Sequence, residues 1–80
     1  MKREEIFEMV NTIFRDVFDD EMIDVSDETT AENIEGWDSL MHITLISEIE
    51  SAFDIRFEMQ DVTNMKSVGE MIDKILELKR

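Results

Sequence analysis

Ile6, Phe7, Val10, Ile13, Phe14, Val17 and Phe18 recur at spacings of three and four, the period that gathers side chains into one apolar stripe along an α-helix. A long amphipathic first helix is predicted there. Lys2, Arg3, Glu4, Glu5, Glu8, Asn11, Thr12, Arg15 and Asp16 occupy its other side and read as plain solvated surface. From Asp19 to Asp38 the period is lost. Met22, Ile23, Val25, Ile34 and Trp37 come singly among nine acidic residues, with no Lys or Arg. This stretch is a long loop, and a connection of about twenty residues within a compact domain tends to be functional or partly ordered. Its isolated apolar side chains are expected to pin it across the helices.

The helical period returns at Ser39. On a wheel of about 100° per residue, Met41, His42, Ile43, Leu45, Ile46, Ile49, Ala52 and Phe53 share one broad arc, and Thr44, Ser47, Glu48 and Ser51 lie opposite. Leu40 falls among the polar positions, so it is expected in solvent at the first turn, beside Ser39. Asp54 to Phe57 reads as a connector and Glu58 to Val62 as at most a short helical turn. Ser67 followed by Glu70 matches a capping box ahead of Val68, Met71, Ile72, Ile75 and Leu76, with Lys79 and Arg80 at the negative end of the helix dipole. Three substantial helices, a minor one and a long first loop follow, with no strand required. The fold class predicted is all-α, a small four-helix bundle formed by one domain over residues 1–80.

Composition narrows what such a bundle can do. A chain of 80 residues buries only a thin margin of surface and has little room for a large catalytic cleft. Apolar residues make up 42% of it, proline is absent and there are two glycines, a balance that favours packed helices over disorder or a turn-rich β fold. Asp and Glu number 21 against 8 Lys and Arg, a formal charge of -13. Such a surface repels nucleic-acid phosphates and anionic lipid, so neither is expected as a partner. Proteins with basic patches are. With no cysteine and no long apolar run, the sequence offers no disulfide, no Cys/His metal cluster and no signal peptide or membrane span, and the expected location is the cytoplasm.

The chemistry then turns on Ser39 in "EGWDSLMH" (residues 35–42). As a nucleophile it would need a general base and an oxyanion hole on a water-excluding scaffold. The one histidine, His42, lies three residues along the same helix and points into the apolar arc. "GWDSL" also departs from the G-D-S-L motif of lipases and esterases by the intervening Trp37. A metal reading of Asp19, Asp20, Glu21, Asp24, Asp27 and Glu28 lacks the alternating ligands, central glycine and terminal glutamate of a calcium loop. Simple capping explains Asp38 but leaves the exposed Leu40 and the glycine-aromatic lead-in without a purpose. Spacing alone leaves capping open, and a third reading stands beside it: an exposed hydroxyl where loop meets helix, close to free N–H groups and the positive dipole end, is well placed to carry a phosphate-linked group.

"GWDSLMHITLISEIESAFDI" (residues 36–55) resembles the modification site and second helix of the acyl carrier and peptidyl carrier protein family, through its D-S-L core and its closing E-x-x-F-D-I. The resemblance extends over nearly the whole chain, since that family is a four-helix bundle with a long first loop, a short third helix and a capped last helix. It implies that Ser39, behind Asp38, receives 4′-phosphopantetheine from coenzyme A through a phosphopantetheinyl transferase. Acyl or aminoacyl groups would ride on the arm as thioesters, and the arm would bring the thiol that the chain lacks. The chain would be a carrier without catalytic residues, and a monomer. Its implied partners are the transferase, acyl- or aminoacyl-loading ligases, and synthases or transferases with basic patches.

Carriers of the fatty-acid type place several acids along the second helix. Here Met41, His42 and Thr44 follow D-S-L, and the outer face offers mainly Ser47, Glu48 and Ser51. The pattern resembles discrete carriers of specialised pathways, such as polyketide, nonribosomal peptide or modified-sugar biosynthesis. Leu40, Met41, Thr44 and Glu48 are the candidate partner contacts, with Met41 equally readable as core. His42 either orders the loop against the helix start or is a histidine at the core's edge, and Trp37 reads as an anchor for the loop. The alternative from another class is an unmodified acidic helical adaptor that binds a basic protein surface, resting on the charge alone.

Overall fold

A computed structural model describes residues 1–79. It contains α1 (Arg3–Val17), α2 (Ser39–Phe53), α3 (Met59–Asn64) and α4 (Val68–Leu78), and no strand among the described residues. The all-α bundle predicted from periodicity is therefore the fold. Helix α1 packs against both α2 and α4. Ile6, Val10 and Phe14 from α1 meet Leu45, Ile46, Ile49 and Phe53 from α2 and Val68, Met71, Ile72 and Ile75 from α4, and all of them are buried. At about 25 cal/mol per Å² of apolar surface, removing this stripe from water is the main stabilising term.

Helix ends are set by local chemistry. Asp19 and Asp54 adopt left-handed backbone with φ of 51° and 55°. Aspartate tolerates this region better than most residues, and it lets the chain turn back so that Asp20 N–H reaches the Arg15 carbonyl at 3.0 Å and Ile55 N–H the Glu50 carbonyl at 3.1 Å. The predicted capping box of α4 is only half formed. Ser67 Oγ accepts from Glu70 N–H at 3.3 Å, but the Glu70 carboxylate takes Lys66 N–H at 2.7 Å, one residue before the expected partner. Lys79 follows α4 and sends its Nζ across to the Phe53 carbonyl at 2.9 Å. The companion expectation for Arg80 lies outside the described residues.

The loop from Asp19 to Asp38 is ordered by two means. Val25 and Trp37 are buried, and Ile23 and Ile34 pack against the core, as the pinning argument requires. Met22 departs from it at 87% exposure, standing at an acidic turn where Asp20 Oδ1 accepts the Met22 N–H. The second means is polar and comes from the side of α1 read above as plain surface. Asn11 Oδ1 accepts Val25 N–H at 3.1 Å, Arg15 Nε donates to the Ile23 carbonyl at 2.7 Å, and Arg3 binds Asp27 at 2.6 Å and Asp73 of α4 at 3.2 Å. The loop repays α4 by accepting Val68 N–H at the Thr29 carbonyl and Gly69 N–H at the Asp27 carbonyl, at 2.9 and 3.0 Å. With Ser67 on Glu70, the first three N–H groups of α4 are thereby satisfied, groups that a helix cannot satisfy internally.

Candidate functional site

Gly36 has φ of 89°, a left-handed conformation that glycine adopts without a Cβ penalty. The turn it makes swings Trp37 inward. The indole is 8% exposed, edge-on to Phe14 at 5.2 Å and stacked on His42 at 5.9 Å between ring centres. With Trp37 fixed, the next residue is held at the surface. Asp38 has extended backbone and accepts Met41 N–H on Oδ1 at 2.9 Å, while its carbonyl takes His42 N–H at 2.8 Å. Asp38 is thus the cap of α2. Ser39, the first residue of the helix, stands exposed beside it.

His42 joins three segments. Trp37 Nε1–H donates to His42 Nδ1 at 3.1 Å, and the other ring nitrogen, Nε2, lies 3.1 Å from the Val62 carbonyl in α3. An indole nitrogen can only donate and a carbonyl can only accept. The ring is therefore the neutral tautomer with its proton on Nε2, accepting from the loop and donating to α3. Of the two roles open to His42, ordering the loop against the helix start is the one realised, and neither nitrogen is left to act as a base for Ser39. Among the described residues no group of three or more His, Asp or Glu is placed to hold a metal ion.

Ser39 opens onto a cleft of about 760 Å³ between the loop, α2 and α3. Trp37, His42, Ile43, Val62 and Met65 give it apolar walls, and Thr30, Glu32, Asp38, Thr63 and Lys66 give it polar ones. Of the cleft residues, Thr30 and Glu32 from the loop, Val62 and Thr63 from α3, and Met65 and Lys66 just beyond it escaped the sequence reading as site residues, because these segments have no period from which a face can be read. Ile43 needs correcting. It was assigned to the buried arc, yet it is 63% exposed and faces the cleft. Ala52 is exposed as well. Both belong to the margins of the arc, Ile43 about 110° from its centre, and burial is confined to the centre, where α1 and α4 pack.

Of the candidate contact residues, Leu40 is 72% exposed, Thr44 and Glu48 are exposed, and Met41 is half-buried. Leu40, Thr44 and Glu48 share one outward side of α2, with Thr44 Oγ1 donating to the Leu40 carbonyl at 3.3 Å. No acid lies in the first turn of α2, and Glu50 is occupied in accepting Phe57 N–H at 2.8 Å.

Residues 8–75 match the family model described as the phosphopantetheine attachment site. The chain belongs to this family. Its members are carriers and not catalysts, and their prosthetic group is covalently attached 4′-phosphopantetheine. The fold is similar to the solution structure of a holo acyl carrier protein from Geobacter metallireducens, at 36% identity over 91% of this chain and 84% of that one, with a TM-score of 0.86. It is also similar to a protein assigned as an acyl carrier protein from Mycobacterium tuberculosis, at 25% identity over 90% of this chain and 96% of that one, with a TM-score of 0.81. Among curated protein sequences none matches. The role is that of an acyl carrier, and the unmodified adaptor is not favoured. Phosphopantetheinyl transferases and biosynthetic enzymes are the general partners of such carriers, and no helix among the described residues is long and apolar enough to cross a membrane.

Proposed function

We propose that Ser39 is the residue that accepts the arm, and that residues 1–80 act as one monomeric carrier domain in the cytoplasm. The observation that carries this reading is the division of labour at the start of α2. Asp38 caps the helix through Met41 N–H, so the exposed Ser39 is free for chemistry. Ser26 sits in a turn with Thr29, Ser47 and Ser51 lie inside α2, and Ser67 caps α4. In the transfer, Ser39 Oγ forms the bond to the phosphorus that carries the pantetheine. The bond from that phosphorus to the nucleotide remainder of coenzyme A breaks, and the serine proton passes to a base on the transferase.

Bound there, the arm supplies a thiol that holds acyl groups as thioesters. The chain's own residues supply the mount. Asp38 fixes the first turn, Trp37 and His42 hold the loop against it, and the N–H groups and positive dipole end at the start of α2 would favour the negative charge of a phosphodiester on Ser39. Leu40, Met41, Thr44 and Glu48 form the contact face for partners, and the sparsity of acids on it supports a specialised pathway of the polyketide, nonribosomal peptide or modified-sugar kind. The acidic loop, with nine carboxylates between Asp19 and Asp38, draws in basic partner surfaces at long range.

Intact mass after incubation with coenzyme A and a broad-specificity transferase tests the assignment. The wild-type chain gains one phosphopantetheine, and Ser39→Ala gains none while keeping its helical circular dichroism. A wild-type chain that stays unmodified with several such transferases, or a Ser39→Ala chain that is still modified, overturns it.

A further inference from the structure

The lone pair on His42 Nδ1 accepts the Trp37 Nε1–H at 3.1 Å, while Nε2 faces the Val62 carbonyl, also at 3.1 Å. That lone pair is the one place where the neutral ring can bind a second proton. We propose that His42 is a proton-sensitive clasp on the joint that carries Ser39, closed when the ring is neutral and released on the loop side when it is charged. The clasp rests on these two bonds; its consequence for loading rests on the attachment reading above.

In the imidazolium both nitrogens donate. The bond from Nε2–H to Val62 survives and becomes charge-assisted, but Nδ1–H then meets the indole N–H donor to donor. Turning the ring over brings no relief, because either nitrogen presents a hydrogen to the indole. Trp37 is 8% exposed, and His42 is the acceptor its N–H has among the described residues. Losing it leaves a buried donor without a partner, which is unfavourable. The indole has to shift, and the shift passes along the chain, since Trp37 directly precedes Asp38, the cap of α2, and then Ser39. Proton and indole compete for one lone pair, so the clasp holds above the titration of His42 and is lost below it.

The ring is half-buried and open to solvent protons. Glu32 and Asp38 from the loop and Lys66 beyond α3 are the charged residues that line the cleft with it, and neither α1 nor α4 adds one there. Within α2 the first turn holds no acid, and Glu48 and Glu50 lie further along. Asp61, beside Val62 in α3, is paired with Lys74 of α4 at 3.5 Å.

His42 is the sole histidine and Trp37 the sole tryptophan, so NMR of the full chain reads both without ambiguity. Ring-nitrogen and indole N–H signals are followed from about pH 8 to about pH 5, the span in which imidazole changes charge. The expected result is a neutral ring protonated on Nε2 at the upper end, and an indole N–H that moves with the same midpoint as the ring while the helical circular dichroism holds. His42→Gln offers an amide oxygen and N–H that do not titrate, and its indole signal is expected to stay still. A ring protonated on Nδ1, an indole that stays fixed while the ring titrates, one that titrates unchanged in His42→Gln, or a ring that takes its proton only as the bundle unfolds overturns the proposal. If His42→Gln does not fold, the wild-type titration decides alone. For the consequence at Ser39, the transferase KM for wild type is divided by that for His42→Gln at each pH, which cancels the transferase's own titration. This ratio is expected to rise several-fold as pH falls while the kcat ratio stays level. A level KM ratio overturns the regulatory role. No mass gain in either chain at any pH sinks the attachment reading instead, and the NMR titration still judges the clasp.

Discussion

Gly69 donates its N–H to the Asp27 carbonyl at 3.0 Å, and a Cβ on Gly69 would stand 2.9 Å from that oxygen and 3.1 Å from Asp27 Oδ1. In an unobstructed helix, alanine is better than glycine by about 1 kcal/mol. Here the obstacle is backbone and cannot rotate away, so the loop has to retreat from α4 and weaken the bonds that cap it. Gly69→Ala is expected to lower stability by about 1–2 kcal/mol, measured by urea unfolding. A more stable variant would show that the loop shifts freely.

Asp38 and Ser39 are adjacent and differ in structural weight. Asp38→Ala removes the acceptor for Met41 N–H and is expected to lower stability by about 1 kcal/mol, whereas Asp38→Asn keeps an oxygen there and most of the cap. Ser39→Ala is expected to change stability by less than about 0.5 kcal/mol. Thermal melts of the three variants check the order. Equal losses at both positions would mean that the serine shares the capping.

The Arg3 guanidinium, hydrogen-bonded to Asp27, holds that carboxyl below its ordinary value, and the same bond raises Arg3. A carboxyl whose value is depressed by folding contributes stability above the unfolded value, and loses it as pH falls through the folded one. At 37% and 54% side-chain exposure the pair is screened by solvent and its contribution is modest. Asp27→Asn is therefore expected to melt slightly below wild type at neutral pH. The gap should close as pH drops through and below the ordinary carboxylate range, and it should narrow in high salt. A gap that stays constant down to strong acid would assign the loss to packing.

Leu40 is a large apolar side chain in solvent at the first turn of α2. Its truncation is expected to change stability by less than about 0.5 kcal/mol, while a contact that anchors an interface can cost above about 2 kcal/mol when removed. Leu40→Ala should therefore slow phosphopantetheine transfer by raising the transferase KM, with little change in melting temperature. An unchanged KM would move recognition to Met41, Thr44 or Ile43.

Helix positions were legible in the sequence because each main helix has a period that one buried face imposes. The exposed place of Ser39 at the start of α2 was legible because a short polar residue behind a capping aspartate marks a surface position there; its role as the attachment residue is the proposal made above. What escaped depends on partners distant in the chain. Arg3, Asn11 and Arg15 look like ordinary outer-face residues of α1, and only the path of the loop gives them Asp27, the Val25 amide and the Ile23 carbonyl. The wheel placed Ile43 in the core because it counts angle alone. Whether an edge residue is covered is decided by the neighbours packed over it, and here Ile43 faces an open cleft. Nothing local to His42 shows that a carbonyl twenty residues away waits for its proton.

Trp37 is the sole tryptophan, and there is no tyrosine. Light absorbed at wavelengths that phenylalanine does not reach is therefore taken up by one ring alone, two residues from Ser39, stacked on His42 and set edge-on to Phe14. The protein thus carries its own optical gauge at the joint between loop and α2. Its emission is expected to change as that joint tightens or loosens, so that, if Ser39 is loaded and Leu40 is met by a partner as proposed, both events could be timed in unlabelled protein through a single indole.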